Sequence, residues 1–98
     1  MNSERYQFLN VAKLPGRINT EETAWCLGFS PHDIPVLIAR GLLKPLGDPP
    51  PNGARYFSSS EIERLRLDTK WLDKASATLI RHWKVKNEGR LKTLNFTQ

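Results

Sequence analysis

The chain has 98 residues, a formal charge of +5 and a hydrophobic fraction of 39%, which bounds it to one compact domain with tails. A single cysteine, Cys26, excludes an intrachain disulfide and a cysteine-rich metal site. No apolar stretch is long enough to cross a bilayer. Met1 to Arg5 lack the basic region and apolar run of a signal peptide, so a cytoplasmic location is expected.

The charge is uneven. Residues 17–67 hold six basic groups (Arg17, Arg40, Lys44, Arg55, Arg64, Arg66) and six acidic ones (Glu21, Glu22, Asp33, Asp48, Glu61, Glu63). Residues 68–98 hold seven basic and three acidic groups. A polyanionic partner would therefore find its attraction mainly in the last third. The plainer reading is that these lysines and arginines keep a terminal helix soluble.

Taken in chain order, residues 1–16 form an N-terminal arm. Tyr6, Phe8, Leu9, Val11 and Leu14 are apolar, and Pro15–Gly16 closes the segment. An arm across the core, a short helix and a partly disordered stretch all fit it. Asn19–Thr20–Glu21–Glu22 reads as a capping box that starts a helix over Asn19–Leu27. Thr23, Ala24 and Leu27 would face inward, and Trp25 would lie on another side, toward the arm. Gly28 ends this helix.

The second helix has two candidate starts. Ser30–Pro31 offers a cap followed by a proline at the first helical position, but it leaves Pro35 inside the helix. A cap at Asp33 places Pro35 in the first turn, where N–H groups have no helical partner. The Asp33 start is preferred, giving a helix of roughly Asp33–Arg40 with Ile34, Leu37 and Ile38 buried. Gly41 terminates it.

Leu42–Leu46 and Ala54–Phe57 then read as two strands of a short hairpin. Gly47–Asp48–Pro49–Pro50–Pro51–Asn52–Gly53 would be its stiff loop. Ser58 with Glu61 reads as a second capping box, followed by Ile62 and Leu65 on the core face, with Leu67 as a further contributor. Asp68–Thr69 interrupts that helix and is placed to cap another. Trp71, Leu72, Ala75, Leu79, Ile80 and Trp83 recur at three- and four-residue spacings. That helix is expected to reach about Lys86 and to end at Asn87–Glu88–Gly89.

The ordered set Ile18–Asn19–x–x–Glu22–x–Ala24–x–x–Leu27–Gly28, Ile34 to Gly41–Leu42–Leu43, Arg55–Tyr56–Phe57 and Ser60–Glu61 resembles the excisionase-like, MerR-related winged helix-turn-helix family. About half the chain carries the resemblance. It implies a mainly α fold with a small β-hairpin wing, to which the Trp71–Trp83 periodicity adds a C-terminal helix. The division would be an arm (1–16), a winged helix-turn-helix core (17–67), an amphipathic helix packed on it (68–87) and a flexible tail (88–98). It also implies that the first helix supports the second, that the second enters the DNA major groove, and that the wing touches backbone or minor groove. Members include DNA-bending recombination factors and transcription regulators. The Trp71–Trp83 helix lies outside the basic pattern, and the turn before Asp33 is longer than usual.

Double-stranded DNA is therefore the expected partner. The residues offered for base reading are poor in donors. The start of helix two presents His32, Asp33, Pro35 and Val36, with no Arg, Lys, Asn or Gln before Arg40. His32 is a phosphate or base contact, or simply an exposed histidine. Val36 is a thymine-methyl contact or a packing residue. The remaining candidates are electrostatic: Arg17, Arg40, Lys44 and Arg55 around the core, and Lys70, Lys74, Arg81 and Lys84 on the last helix. No enzyme is expected, because Cys26 has no partner, His32 and His82 lack ligand spacing and no phosphate loop occurs. No cofactor is implied. A homodimer or a protein partner stays open. The acidic cap, the apolar Ile34–Pro35–Val36 segment and the proline loop also suit a protein-interaction module on the same fold.

Overall fold

The computed structural model describes residues 3–96, with side chains to Gly89. Five helices and two strands follow in the order α1 (Ser3–Leu9), β1 (Arg17–Asn19), α2 (Thr20–Leu27), α3 (Asp33–Ala39), β2 (Tyr56–Ser58), α4 (Ser59–Arg66) and α5 (Thr69–Phe96). One core joins them. Ile18, Ala24, Leu27, Ile34, Leu37, Leu43, Phe57, Ile62, Leu65, Ala75 and Leu79 are all buried in one cluster.

The antiparallel pair is present, but its strands differ from the expected hairpin. β2 pairs with β1, in the register Arg17 with Ser58, Ile18 with Phe57 and Asn19 with Tyr56. Ile18 and Phe57 point into the core. By strand alternation, Arg17, Asn19, Tyr56 and Ser58 take the outer face. Leu42–Leu46 forms no strand. Only Leu46 N–H reaches across, donating to Tyr56 O at 2.8 Å. Pro45 has no N–H to extend a ladder. Just beyond, Gly47 and Asp48 both turn into positive φ, at 74° and 49°. Leu43 is drawn into the core instead of alternating along a strand edge.

The helix starts follow their side-chain chemistry. Asn19 Oδ1 accepts Glu22 N–H at 2.8 Å and Glu22 Oε1 accepts Asn19 N–H at 2.9 Å, the complete box expected for α2. Gly28 closes α2 at φ 83°, a left-handed conformation that costs a glycine little.

For α3 the preferred cap is corrected. The helix begins at Asp33, yet the residue before it, His32, has helical dihedrals and makes no side-chain cap bond. The cap chemistry lies at Ser30. Its Oγ accepts His32 N–H at 3.3 Å, and Asp33 Oδ2 accepts Ser30 N–H at 3.0 Å. Pro35 is accommodated because the entry is wound tighter. Asp33 and Ile34 donate three residues back, to Ser30 O and Pro31 O, so the carbonyl a residue at 35 would ordinarily use is already occupied.

At α4 only half of the second box forms. Ser58 Oγ accepts Glu61 N–H at 3.3 Å, but the Glu61 carboxylate turns to Arg64. Ser58 belongs to the β2 ladder opposite Arg17, and Glu61 is left to pair along its own helix. Ser59 fastens the strand–helix junction. Its N–H and hydroxyl both donate to Gly16 O, at 3.0 and 3.1 Å.

Asp68 Oδ1 accepts Trp71 N–H and caps α5. α5 does not stop at Asn87–Glu88–Gly89 but runs on to Phe96. One glycine without a breaking proline costs only about 1 kcal/mol in a helix interior. The last two residues of the expected tail lie outside the described residues. At about 1.5 Å per residue the 28 residues of α5 account for much of the 54 Å long axis. Two expected core residues are on the surface: Leu67 is 73% exposed and Ile80 69%. Ile80 sits about 100° round α5 from the buried Leu79, and Leu67 is the C-cap beyond the last turn of α4, two residues past the buried Leu65. The arm resolves as the short helix α1, whose Phe8 meets Trp25 with ring centroids 5.7 Å apart.

Candidate nucleic-acid interface

Tyr56 organises one part of the surface. Arg17 lays its guanidinium 3.9 Å from the Tyr56 ring centroid, a cation–π contact that orients the group while leaving its edge donors free. Arg55 directly precedes Tyr56, and its Nη2 donates to Pro51 O at 3.3 Å, so the arginine also ties the proline loop to the strand. Lys44 lies two residues before Leu46, whose N–H is bonded to Tyr56 O. Arg40 is exposed at the C-cap of α3 and leads into the same segment. Tyr56 was not among the sequence candidates. Its sequence signals are a place in the Arg55–Tyr56–Phe57 match and an aromatic between an arginine and a buried Phe in a β-prone run.

The neutral count over residues 17–67 hides a separation. Arg64 pairs with Glu61 and Arg66 with Glu63 on α4. The hydrogen bond to Arg64 holds the Glu61 carboxyl below its usual range, and Glu61 in turn raises the guanidinium. Glu22 is used in the α2 cap. Asp33 receives Ser30 N–H on one oxygen and Trp83 Nε1–H on the other, at 2.9 Å. Arg17, Arg40, Lys44 and Arg55 form no ion pair among the described residues.

The outward side of α3 is almost without charge. His32, Pro35, Ala39 and Arg40 are exposed. Val36 is half-buried and packs against the core, which leaves little of it for a base. Of these only His32 and Arg40 carry a side-chain donor. Base-edge hydrogen bonds from this helix are thus confined to its two ends.

The tryptophans are engaged internally. Trp71 donates from Nε1 to Leu42 O at 3.1 Å and tilts against Phe29, while Trp83 reaches Asp33. These two side chains pin α5 to both ends of α3. No exposed Trp stands beside Pro35 as an anchor for a protein partner. The packed stripe of α5 is Trp71, Ala75, Leu79 and Trp83. Lys70, Lys74, Arg81 and Lys84 are exposed, on the side turned away from α3 and α4. No hydrogen bond or ring contact links them to the Tyr56 group.

A cleft of about 690 Å³ opens between the Gly41–Gly47 segment and α4, floored by Phe57, Ile62 and Trp71 and carrying Lys44 on its edge. Cys26 borders a second cleft under α1. Burial, helped by the Glu63 charge, pushes its thiol up to about 11, so it stays protonated at neutral pH. Among the described residues no cluster of His, Cys, Asp and Glu is placed to hold a metal, and no helix is long and apolar enough to cross a membrane. The chain matches no protein family, no curated protein and no solved structure.

Proposed function

We propose that this chain is a small DNA-binding protein of winged helix-turn-helix type, regulatory or architectural, that grips duplex mainly by phosphate contacts. α2 supports α3, and the loop Gly47–Ala54, closed by the Leu46–Tyr56 bond, serves as the wing. The observation that carries the reading is the set of unpaired cations around Tyr56. Arg17 stacked on the ring, Arg55 at the loop base and Lys44 on the tied segment present charge that no carboxylate cancels. Phosphate contacts of this kind set orientation and affinity, with little base discrimination. The donor-poor face of α3 is consistent with that division.

The test is binding to mixed duplex DNA across a salt series. Replacing Arg40, Lys44 and Arg55 together with Gln should reduce the log–log salt slope by about 3, one per lost phosphate contact. Absence of binding even at low salt would remove the reading. A protein-interaction module then takes its place, since Pro35 and Ala39 give α3 an uncharged outer side and Leu46 lies exposed on the cleft edge.

A further inference from the structure

The cations of α5 are more ordered than a solubilising helix face requires. At about 100° per residue, Lys70, Lys74, Ala77, Arg81 and Lys84 fall within an arc of about 80°. Within residues 70–84 nothing else occupies that arc. Four of its five positions are cationic, in a row about 21 Å long. Each of the four side chains is exposed, and none joins an ion pair among the described residues. Asp73 lies at the edge of the arc and Glu88 closes the row one turn beyond Lys84. The opposite stripe is spent on the core, where Trp71 and Trp83 fix the rotation of the helix through Leu42 O and Asp33. The row is therefore held facing outward and cannot roll toward the Tyr56 group.

We infer that this row is a second duplex-binding surface, separate from the helix-turn-helix face, so that one protein engages two DNA segments. The inference rests on the DNA reading above. Charge complementarity selects the occupant. Duplex DNA presents one negative charge per about 1.7 Å of axis, a continuous match for a straight row of flexible cations. A lipid surface would need a broad apolar face inserting beside the cations, whereas the arc holds only Ala77 and the exposed Ile80 and Val85 stand singly on its two flanks. A second copy of the chain would need an acidic row to match it; Glu22, Asp33, Glu61 and Glu63 are engaged in caps or ion pairs, and Glu21, Asp48, Asp73 and Glu88 are scattered singly along the chain.

The experiment holds a short duplex on beads, adds the full-length protein and then a fluorescent second duplex, and counts the second duplex retained. Wild type should retain both. The variant Lys70→Gln, Lys74→Gln, Arg81→Gln, Lys84→Gln should still bind the immobilised duplex, with unchanged helicity and particle mass. It should retain about tenfold less of the second duplex, on contacts whose salt slope has fallen by 3 to 4, at about 0.9 per contact. Unchanged retention by this variant overturns the inference, as does a wild type that never holds two duplexes. So does a row that binds phosphatidylserine vesicles, or changes particle mass, without affecting the second duplex. If the row variant loses all binding while the Arg40, Lys44 and Arg55 variant loses none, the helix-turn-helix reading falls and the row is the sole surface, not a second one. If wild type binds no duplex, both fall together.

Discussion

Two groups of basic side chains in residues 17–67 are held in opposite ways. On α4, Arg64 and Arg66 each sit one turn from a glutamate and are neutralised in place. Around Tyr56, Arg17 is stacked on a ring and Arg55 is bonded to a backbone carbonyl, contacts that position a guanidinium without cancelling its charge. Equal formal charges thus differ in availability. A neutral total over a segment says little about the potential a partner would meet.

The largest expected effect breaks the comparison by removing the sheet that carries one side of it. Phe57 is 1% exposed and pairs with Ile18 across β1 and β2. Phe57→Ala should cost about 3–5 kcal/mol, read from the denaturation midpoint, and duplex binding should be lost with the fold. The sharper test keeps the fold and removes two charges from either group. Arg17→Gln with Arg55→Gln should lower the salt slope for duplex binding by about 2. Arg64→Gln with Arg66→Gln removes the same formal charge and should leave the slope nearly unchanged. Equal losses from both variants would mean that pairing does not govern availability here.

Trp83→Phe keeps an aromatic ring, smaller than the indole, and deletes the bond to Asp33 Oδ1. It should cost about 1–2 kcal/mol, because the half-buried carboxylate loses a donor. Hydrogen exchange should quicken in the part of α5 around residue 83 more than in α2.

Cys26 gives a smaller, pH-dependent effect. Its thiol titrates near 11 in the folded chain, against an ordinary value of 9.0. The unfolded chain therefore ionises first. The stability gained by burying the neutral thiol is full below pH 9 and is lost as pH rises toward 11. At pH 8, alkylation of the native protein should be slower than that of the unfolded chain by about tenfold or more. Thr23→Val should have the smallest effect. The Thr23 hydroxyl is buried without a hydrogen-bond partner, so an isosteric apolar side chain should be neutral or slightly stabilising by thermal melt.

Local chemistry was readable wherever the relevant atoms lie within a few residues of each other. The Asn19–Glu22 box, the Gly28 and Gly41 stops and the Asp68 cap all act within one turn. The buried Ile34, Leu37, Ile62 and Leu65 follow from helical period alone. Readings failed where a choice depended on distant partners. A β-prone run after Gly41 suggests a neighbouring strand, and nothing local shows that residues 17–19, far back in the chain, supply the pairing. Ile80 and Leu67 are apolar at plausible spacings, but only the packed rotation of α5 and the end of α4 decides that they face solvent. Local sequence makes Asp33 a cap, whereas its carboxylate serves the Ser30 backbone on one side and Trp83, fifty residues away, on the other. The candidate cations were readable as residue types. Their grouping around Tyr56, and the separation of the α5 row from it, were not.

The sequence by itself determined the order of α2 to α5, the caps of α2, α4 and α5, the stops of α2 and α3, and most of the side chains that seek the core. These are set by backbone hydrogen bonding within a turn and by side-chain period. Tertiary structure alone decided strand pairing, the rotation of α5 and the stacking of Arg17 on Tyr56. Each of these depends on contacts between segments whose separation along the chain carries no local signal.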